Sequence, residues 1–206
     1  MMRRLVHKLR RVSEQIQDRR LGIQTHEFHP QIDPAHPEFR GYAPTSYRDW
    51  RLIRPHVIAD PQSSFVDYGA GLGRVTILAA QLPFRCVIGV EFSADLVERA
   101  TANVKRAQTV LRSPVKLVCI DAAAFEVPDD ASTLFFANPF AGSILSSVVE
   151  RARASYAKCP RSLRLVCTVP EQSAFEQGIS SVGWIKLIRH FVLTNRRRCM
   201  IYEPQT

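Results

Sequence analysis

The first twenty residues carry a stripe of apolar positions at helical spacing. The stripe recurs at steps of three and four, which predicts one side of an amphipathic helix. Its members are Met2, Leu5, Leu9, Val12 and Ile16. We expect this helix to pack on the rest of the chain or on a partner. Four prolines then interrupt the pattern up to residue 45 and predict an extended, wrapping arm.

Residues 46–206 are predicted to form one domain in which short apolar strands alternate with amphipathic helices. Helices are expected at 47–54, 75–82, 93–106 and 143–157, with a shorter one that begins near Glu171. Strands are expected at 65–67, 87–91, 115–121, 163–169, 184–193 and 196–203. A further strand, the fourth in chain order, is expected to end at residue 137. The last two strands read as an antiparallel hairpin joined by Thr194-Asn195. Such alternation implies an α/β fold, doubly wound around a mostly parallel sheet.

A glycine-rich segment, residues 65–74 (FVDYGAGLGR), joins the first strand of this domain to the next helix. It spaces Asp67, Gly69, Gly71 and Gly73 two residues apart. Glycines let the backbone adopt positive φ and let a ligand approach without a Cβ in the way. The N–H groups at the start of the following helix also face the turn. The segment therefore predicts a site for a ligand.

Other polar residues fall at the same edge of the predicted sheet. Glu91, Asp121 and Asn138 each end an apolar run, as the Gly69 turn does. Because ligands of parallel sheets bind beyond the carboxyl ends of the strands, these residues are expected to converge on one site.

The order Asp-x-Gly-x-Gly-x-Gly, followed by Glu91 and by Asp121-Ala122, resembles the class I S-adenosylmethionine-dependent methyltransferases. The resemblance covers residues 62–140 and implies a Rossmann-like, seven-stranded sheet that ends in a hairpin. It implies S-adenosyl-L-methionine as cofactor, bound along Gly69, Ala70, Gly71 and Gly73.

The resemblance also implies roles for single side chains. Glu91 would accept hydrogen bonds from the ribose hydroxyls, and Phe92 would lie against the adenine. Asp121 and Ala122 would meet the adenine amino group. Asp67 would orient the turn and meet the amino end of the methionine part. As an alternative, each acid could merely cap a helix.

Two further segments resemble parts of this family. Residues 42–45 (YAPT) resemble a Tyr-x-Pro-Thr segment of small protein-lysine methyltransferases, which implies that Tyr42 and Thr45 close over the methionine end; the alternative is a loop with a helix cap. Residues 138–141 (NPFA) resemble the Asn-Pro-Pro-Tyr motif of amino-group methyltransferases and, more nearly, an Asn-Asn-Phe-Ala run of histone-lysine methyltransferases without a SET domain. Catalytic roles for Asn138, Pro139 and Phe140 follow; the alternative is a loop without catalytic duty.

Composition limits the cellular setting. No apolar run approaches the roughly 20 residues that a membrane-spanning helix needs, and no secretory signal is recognisable. The five cysteines are scattered, so reduced thiols and a cytoplasmic location are expected. His26, His29 and His36 lack the remaining ligands of a zinc site, and no metal is predicted.

The net charge of +9 is concentrated in residues 1–20 and in Arg196-Arg197-Arg198. Such clusters favour an acidic partner, namely nucleic acid, an anionic membrane surface or an acidic protein; a solvated face is the alternative. No integral membrane association is expected, and the oligomeric state stays open.

The expected function is methylation of nitrogen on a protein side chain, lysine-like in character, with Glu171 and Tyr42 as the candidate bases. RNA or DNA, or a small metabolite, are the alternative acceptors. A non-catalytic binding or scaffold protein and a hydride-transferring dehydrogenase are rivals of other classes. The intact glycine-rich turn with Glu91 argues against the scaffold.

Overall fold

The computed structural model describes residues 2–27, 41–194 and 197–205, with side chains from residue 11 onward. The helices are α1 Met2–Leu21, α2 Tyr47–Ile53, α3 Arg74–Ala79, α4 Ala94–Arg106, α5 Gly142–Lys158 and α6 Ala174–Ser180. The strands are β1 Ser64–Tyr68, β2 Cys86–Glu91, β3 Val115–Cys119, β4 Ala131–Phe136, β5 Arg164–Pro170, β6 Ile185–Val192 and β7 Arg197–Pro204. None of the described helices is long and apolar enough to cross a membrane.

The strands form a seven-stranded sheet in the order β3-β2-β1-β4-β5-β7-β6. The first five strands of this order are parallel, whereas β7 pairs antiparallel with both β5 and β6. The predicted doubly wound, mostly parallel sheet with a closing hairpin is therefore confirmed. Asn195, predicted in the hairpin loop, lies outside the described residues.

Helices cover both faces of the sheet at its centre, which explains why β1 and β4 contain only buried residues. On one face α5 and α6 cover Val66, Tyr68 and Phe136, and the rings of the last two stack 4.9 Å apart. On the other face α2 and α3 cover Phe65 and Phe135. Because β1 and β4 are central, the chain that leaves their carboxyl ends starts from a rigid position.

Local capping explains where several helices begin and end. Ser46 and Ser93 cap α2 and α4 through hydrogen bonds from the backbone N–H groups of Asp49 and Leu96. The last helix, α6, begins after Ser173 and thus later than predicted. Similarly, α3 ends at Ala79, earlier than the predicted residue 82.

The N-terminal helix α1 continues for about one turn beyond its apolar stripe and ends at Leu21, where Gly22 terminates it. Gly22 has a φ of 70°, and its N–H group donates to the carbonyl of Arg19 while that of Ile23 donates to Asp18. This is the hydrogen-bond pattern of a Schellman motif. The extra turn carries Asp18 to the domain, where its carboxylate is buried.

Candidate functional site

A cavity of about 580 Å³ lies beyond the carboxyl ends of β1, β2 and β4. Its walls come from the glycine-rich turn, from the end of β2, from the loop after β4 and from residues 41–45. The cavity contains most of the residues predicted to bind a cofactor, namely Tyr42, Thr45, Asp67, Gly69, Ala70, Gly71, Glu91, Phe92, Ala122 and Asn138. The predicted convergence at this edge of the sheet is present in the structure.

The glycine-rich turn brings backbone close to other walls of the cavity. Gly69 and Gly71 have φ values of 71° and 54°, in the left-handed region that favours glycine. A Cβ at Gly69 would lie 2.5 Å from the Cβ of Pro139, and one at Gly71 would lie 2.0 Å from Cδ2 of Tyr42. The turn therefore contacts both the loop after β4 and the N-terminal segment without room for larger residues.

The carboxylate of Glu91 is held by backbone donors at the cavity wall. Its Oε2 accepts a hydrogen bond from the N–H of Gly71 at 2.9 Å, and its Oε1 accepts from those of Phe92 and Ser93 at 3.1 Å. Burial raises the pKa of Glu91, while these hydrogen bonds act in the opposite direction. One side chain thus ties the end of β2 to the glycine-rich turn and still lines the cavity.

Asp67 lies deeper in the same wall. Its Oδ2 accepts a hydrogen bond from Oγ1 of Thr76 at 2.7 Å, and the side chain is almost completely buried. Burial raises the pKa of Asp67 to about 7, with a smaller contribution from the neighbouring charge of Glu91. A buried carboxylate of this kind favours a cationic ligand, because a positive charge stabilises its ionised form.

The N-terminal segment supplies one wall of the cavity. The hydroxyl of Tyr42 donates a hydrogen bond to the carbonyl of Thr25 at 2.9 Å, which holds the ring against Gly71. Thr45 is buried, and its Oγ1 has no hydrogen-bond partner among the described residues. Because an unpartnered buried hydroxyl is unfavourable, a ligand that bonds to Oγ1 would satisfy it.

The loop after β4 brings Asn138 to the cavity. Asn138 has a φ of 59°, which is uncommon for a residue other than glycine. The carbonyl of Ala137 accepts a hydrogen bond from Nη2 of Arg197, which ties the loop to the hairpin. Phe140 is 1% exposed and packs edge-on against Tyr68 and Phe136, so that its ring belongs to the core and reaches the cavity at its edge.

Two residues predicted to bind the cofactor do not line the cavity. Asp121 is exposed, and its Oδ1 accepts a hydrogen bond from the N–H of Ala123, so that it caps a short 3₁₀ turn. Gly73 caps α3, and a Cβ there would lie 3.3 Å from that of Ala100. Gly73 therefore allows α4 to approach α3.

The two candidate bases differ in position. Glu171 is exposed and lies 3.6 Å from the guanidinium of Arg198, outside the cavity. Tyr42 lines the cavity, but its hydroxyl is a donor to Thr25, and burial raises its pKa. Neither residue is arranged to accept a proton from a ligand.

The three histidines considered for a metal are not brought together in the described chain. Nδ1 of His26 lies 3.1 Å from Oδ2 of Asp18, whereas His29 and His36 lie outside the described residues. Residues 11–27, 41–194 and 197–205 contain no group of three side chains that could hold a metal ion.

Arg74 also lines the cavity, although the sequence pattern does not single it out. It is 2% exposed, and its guanidinium contacts Glu14, Asp18 and Thr45. In the sequence, Arg74 stands at the start of an apolar run, where the hydrophobic pattern predicts buried residues.

Residues 65–164 match the sequence model of a family described as a methyltransferase domain. These residues form a methyltransferase domain of the class I, S-adenosylmethionine-dependent kind. Its cofactor is S-adenosyl-L-methionine, as the resemblance implied. No curated protein shows significant sequence similarity to the chain.

Solved structures share the fold of this methyltransferase at low sequence identity. An RNA methyltransferase from Salinibacter ruber in complex with S-adenosyl-L-homocysteine is 19% identical, with a TM-score of 0.56 over 80% of this chain and 95% of that one. A putative tRNA (m1A22) methyltransferase from Streptococcus pneumoniae is 18% identical, with a TM-score of 0.57 over 79% and 72%. Magnesium protoporphyrin IX methyltransferase from Synechocystis PCC 6803, with bound S-adenosylmethionine, is 16% identical, with a TM-score of 0.51 over 68% and 69%.

Proposed function

We propose that this methyltransferase methylates a nitrogen on a protein side chain, with the amine of lysine as the expected acceptor. Asn138 carries the proposal. It lines the cavity at the end of β4 in a left-handed conformation, which asparagine adopts more readily than most residues and which sets the direction of its side chain there. Its side-chain oxygen can accept a hydrogen bond from an amine and so orient the lone pair of the nitrogen.

The cofactor site is proposed on the residues that line the cavity. The backbone of Gly69 and Gly71 lines the cavity, and their left-handed φ values suit a glycine turn that presents backbone N–H groups to a ligand. Glu91 would accept from the ribose hydroxyls, Asp67 would face the ammonium group, and the Oγ1 of Thr45 would bond the carboxylate. An adenine contact by Asp121 would require its side chain to leave the N–H of Ala123.

In the proposed reaction, no residue of the chain forms a covalent bond to the methyl group. When bound, S-adenosylmethionine would supply the methyl group: the lone pair of the acceptor would form a bond to the methyl carbon as the carbon–sulfur bond breaks, and a neutral thioether would leave. The residues around the cavity align the acceptor and exclude water. A lysine must lose its proton before it can react. Since Tyr42 and Glu171 are not arranged as bases, we propose that the proton goes to solvent.

An RNA base is the second candidate acceptor. The net charge of +9 and the fold shared with the Salinibacter ruber RNA methyltransferase favour it. Two arginines of the C-terminal basic cluster, however, are engaged within the molecule. Arg197 donates to the carbonyl of Thr168, and Arg198 pairs with Glu176. Those two arginines are therefore less suited to phosphate than their sequence suggests.

One labelling experiment separates the candidates. The enzyme is incubated with cell extract and with S-adenosylmethionine labelled in the methyl group. The labelled products are then treated with ribonuclease or with protease. We expect label that survives ribonuclease, is lost on protease treatment and appears as methyl-lysine after hydrolysis. Label lost with ribonuclease would favour the RNA base, and label in small molecules would contradict both. Asn138→Ala enzyme serves as the low-activity control.

A further inference from the structure

Helix α1 is attached to the domain by its polar side. Glu14 and Asp18 both pair with the guanidinium of Arg74, and Asp18 also accepts a hydrogen bond from the hydroxyl of Tyr47 at 2.6 Å. These contacts fix which side of the helix faces the domain, because Asp18 and Arg74 are each 2% exposed.

The described part of the apolar stripe of α1, Val12 and Ile16, is consequently on the outside. Val12 and Ile16, the members of the stripe whose side chains the structure describes, are 44% and 43% exposed. At about 100° per residue, Val12 and Ile16 lie on the side of the helix opposite to Glu14 and Asp18. The remaining members of the stripe continue the same spacing toward the N-terminus. Val12 and Ile16 are thus neighbours on one exposed side of α1, and contiguous exposed apolar surface marks an interaction site.

The charges around the stripe are positive. Arg11, Arg19 and Arg20 are exposed, and residues 1–20 contain seven arginines and lysines in total. The acidic residues of this segment, Glu14 and Asp18, are both paired with Arg74. The outward surface of α1 therefore combines an apolar stripe with basic flanks, and its partner must be apolar and anionic.

We propose that α1 binds the surface of a bilayer that contains anionic phospholipid. The helix would lie in the plane of the surface, with its stripe between the headgroups and the acyl chains and its arginines on lipid phosphates. A second copy of the chain fits less well, because two heptads are short for a coiled coil and the basic flanks repel each other. Nucleic acid satisfies the charges but leaves the stripe exposed. Binding of α1 to a membrane surface does not depend on which acceptor the enzyme methylates.

The test uses the full chain and sedimentation with lipid vesicles. We expect binding to vesicles of phosphatidylcholine and phosphatidylglycerol in equal amounts, and little binding to phosphatidylcholine alone. Added salt should weaken the binding without abolishing it, because the apolar contribution is not screened. No sedimentation with the anionic vesicles would overturn the proposal.

Matched variants separate the stripe from simple charge. The double variant Val12→Asp/Ile16→Asp should bind anionic vesicles about tenfold more weakly or worse. The control Leu187→Asp/Val192→Asp changes two exposed apolar residues of β6 by the same charge and should bind like the wild type. Equal loss in both pairs would show that charge alone matters, and would overturn the proposal.

A second pair of variants tests the basic flank. Arg19→Gln/Arg20→Gln should weaken binding about tenfold, whereas Arg48→Gln/Arg51→Gln, exposed on α2, should not. Light scattering without lipid tests whether a second copy of the chain covers the stripe instead. A dimer that Val12→Asp/Ile16→Asp dissociates would assign the stripe to a second copy of the chain and would overturn the proposal.

Discussion

The guanidinium of Arg74 and the carboxylate of Asp18 form a buried ion pair, with 3.1 Å between Nη2 and Oδ1. Asp18 belongs to α1, and Arg74 is the first residue of α3, directly after the glycine-rich turn. Arg74 also donates from Nε to Oγ1 of Thr25 and from Nη1 to the carbonyl of Thr45. One side chain therefore connects the N-terminal segment to the turn that lines the cavity.

We predict that Arg74→Met lowers the free energy of unfolding by about 3–5 kcal/mol, because it removes the arginine partner of the buried Asp18 carboxylate. Urea denaturation measures the effect. Arg153→Gln is the control, since Arg153 forms an exposed ion pair with Glu150, and such pairs contribute about 0–1 kcal/mol. An Arg74→Met protein as stable as the Arg153→Gln control would contradict the prediction.

We predict that Gly71→Ala weakens cofactor binding strongly. The new Cβ would lie 2.0 Å from the ring of Tyr42, and the left-handed backbone adds about 1–2 kcal/mol of strain. Calorimetric titration with S-adenosylmethionine measures the loss. Gly183→Ala is the matched control, because nothing lies within 4 Å of its added Cβ. Equal affinity in the two variants would mean that the turn does not hold the cofactor.

We predict that Asn138→Ala and Asn138→Gly both lower kcat by roughly a hundredfold and leave cofactor affinity unchanged. Both remove the side-chain oxygen, but glycine relieves the left-handed backbone and should raise thermal stability above that of the alanine variant. Turnover, cofactor titration and melting temperature are measured in parallel. A glycine variant with full kcat would show that Asn138 has only a backbone role.

We predict that Asp67 makes the stability of the free enzyme fall as the pH rises. Burial raises the pKa of Asp67 to about 7, so the folded chain binds a proton that the unfolded chain releases near pH 4. Between these two values the free energy of unfolding decreases with pH, and above about 7 this contribution is constant. The difference between wild type and Asp67→Asn, from urea denaturation at several pH values, isolates the effect. A difference that does not vary with pH would refute it.

The same carboxylate is expected to govern the pH dependence of cofactor binding. An ammonium group beside Asp67 stabilises the ionised form, so affinity should increase as the pH rises from 6 to 8. Asp67→Asn should bind more weakly at pH 8 and lose most of this dependence. Titrations in two buffers of different ionisation enthalpy would show protons released on binding to the wild type. Identical pH profiles for the two proteins would remove Asp67 from the ammonium site.

Most of the sheet was predictable because its signals are local. Continuous apolar runs mark strands that are buried on both faces, and serines such as Ser46 and Ser93 mark helix starts. The turn at Gly69 and Gly71 was recognisable for the same reason, since positive φ values select glycine directly.

The side chains that line the cavity were less predictable. Asp121 has the sequence position of an adenine ligand, yet its carboxylate bonds to the N–H of Ala123 and is exposed. The sequence pattern does not single out Arg74, yet its guanidinium is buried, because Glu14 and Asp18 pair with it from about 60 residues away. Such outcomes depend on partners that are distant in the sequence.

The sequence by itself determined the α/β architecture, the glycine-rich turn and the edge of the sheet where the cavity lies, because these follow from hydrophobic period and from backbone preferences of single residues. Only the tertiary structure decided which side of α1 faces the domain. The stripe of Val12 and Ile16 suggests an inward apolar side, but the buried pair of Asp18 with Arg74 turns that side outward. A buried charge needs a partner, and only the folded chain shows which partner it finds.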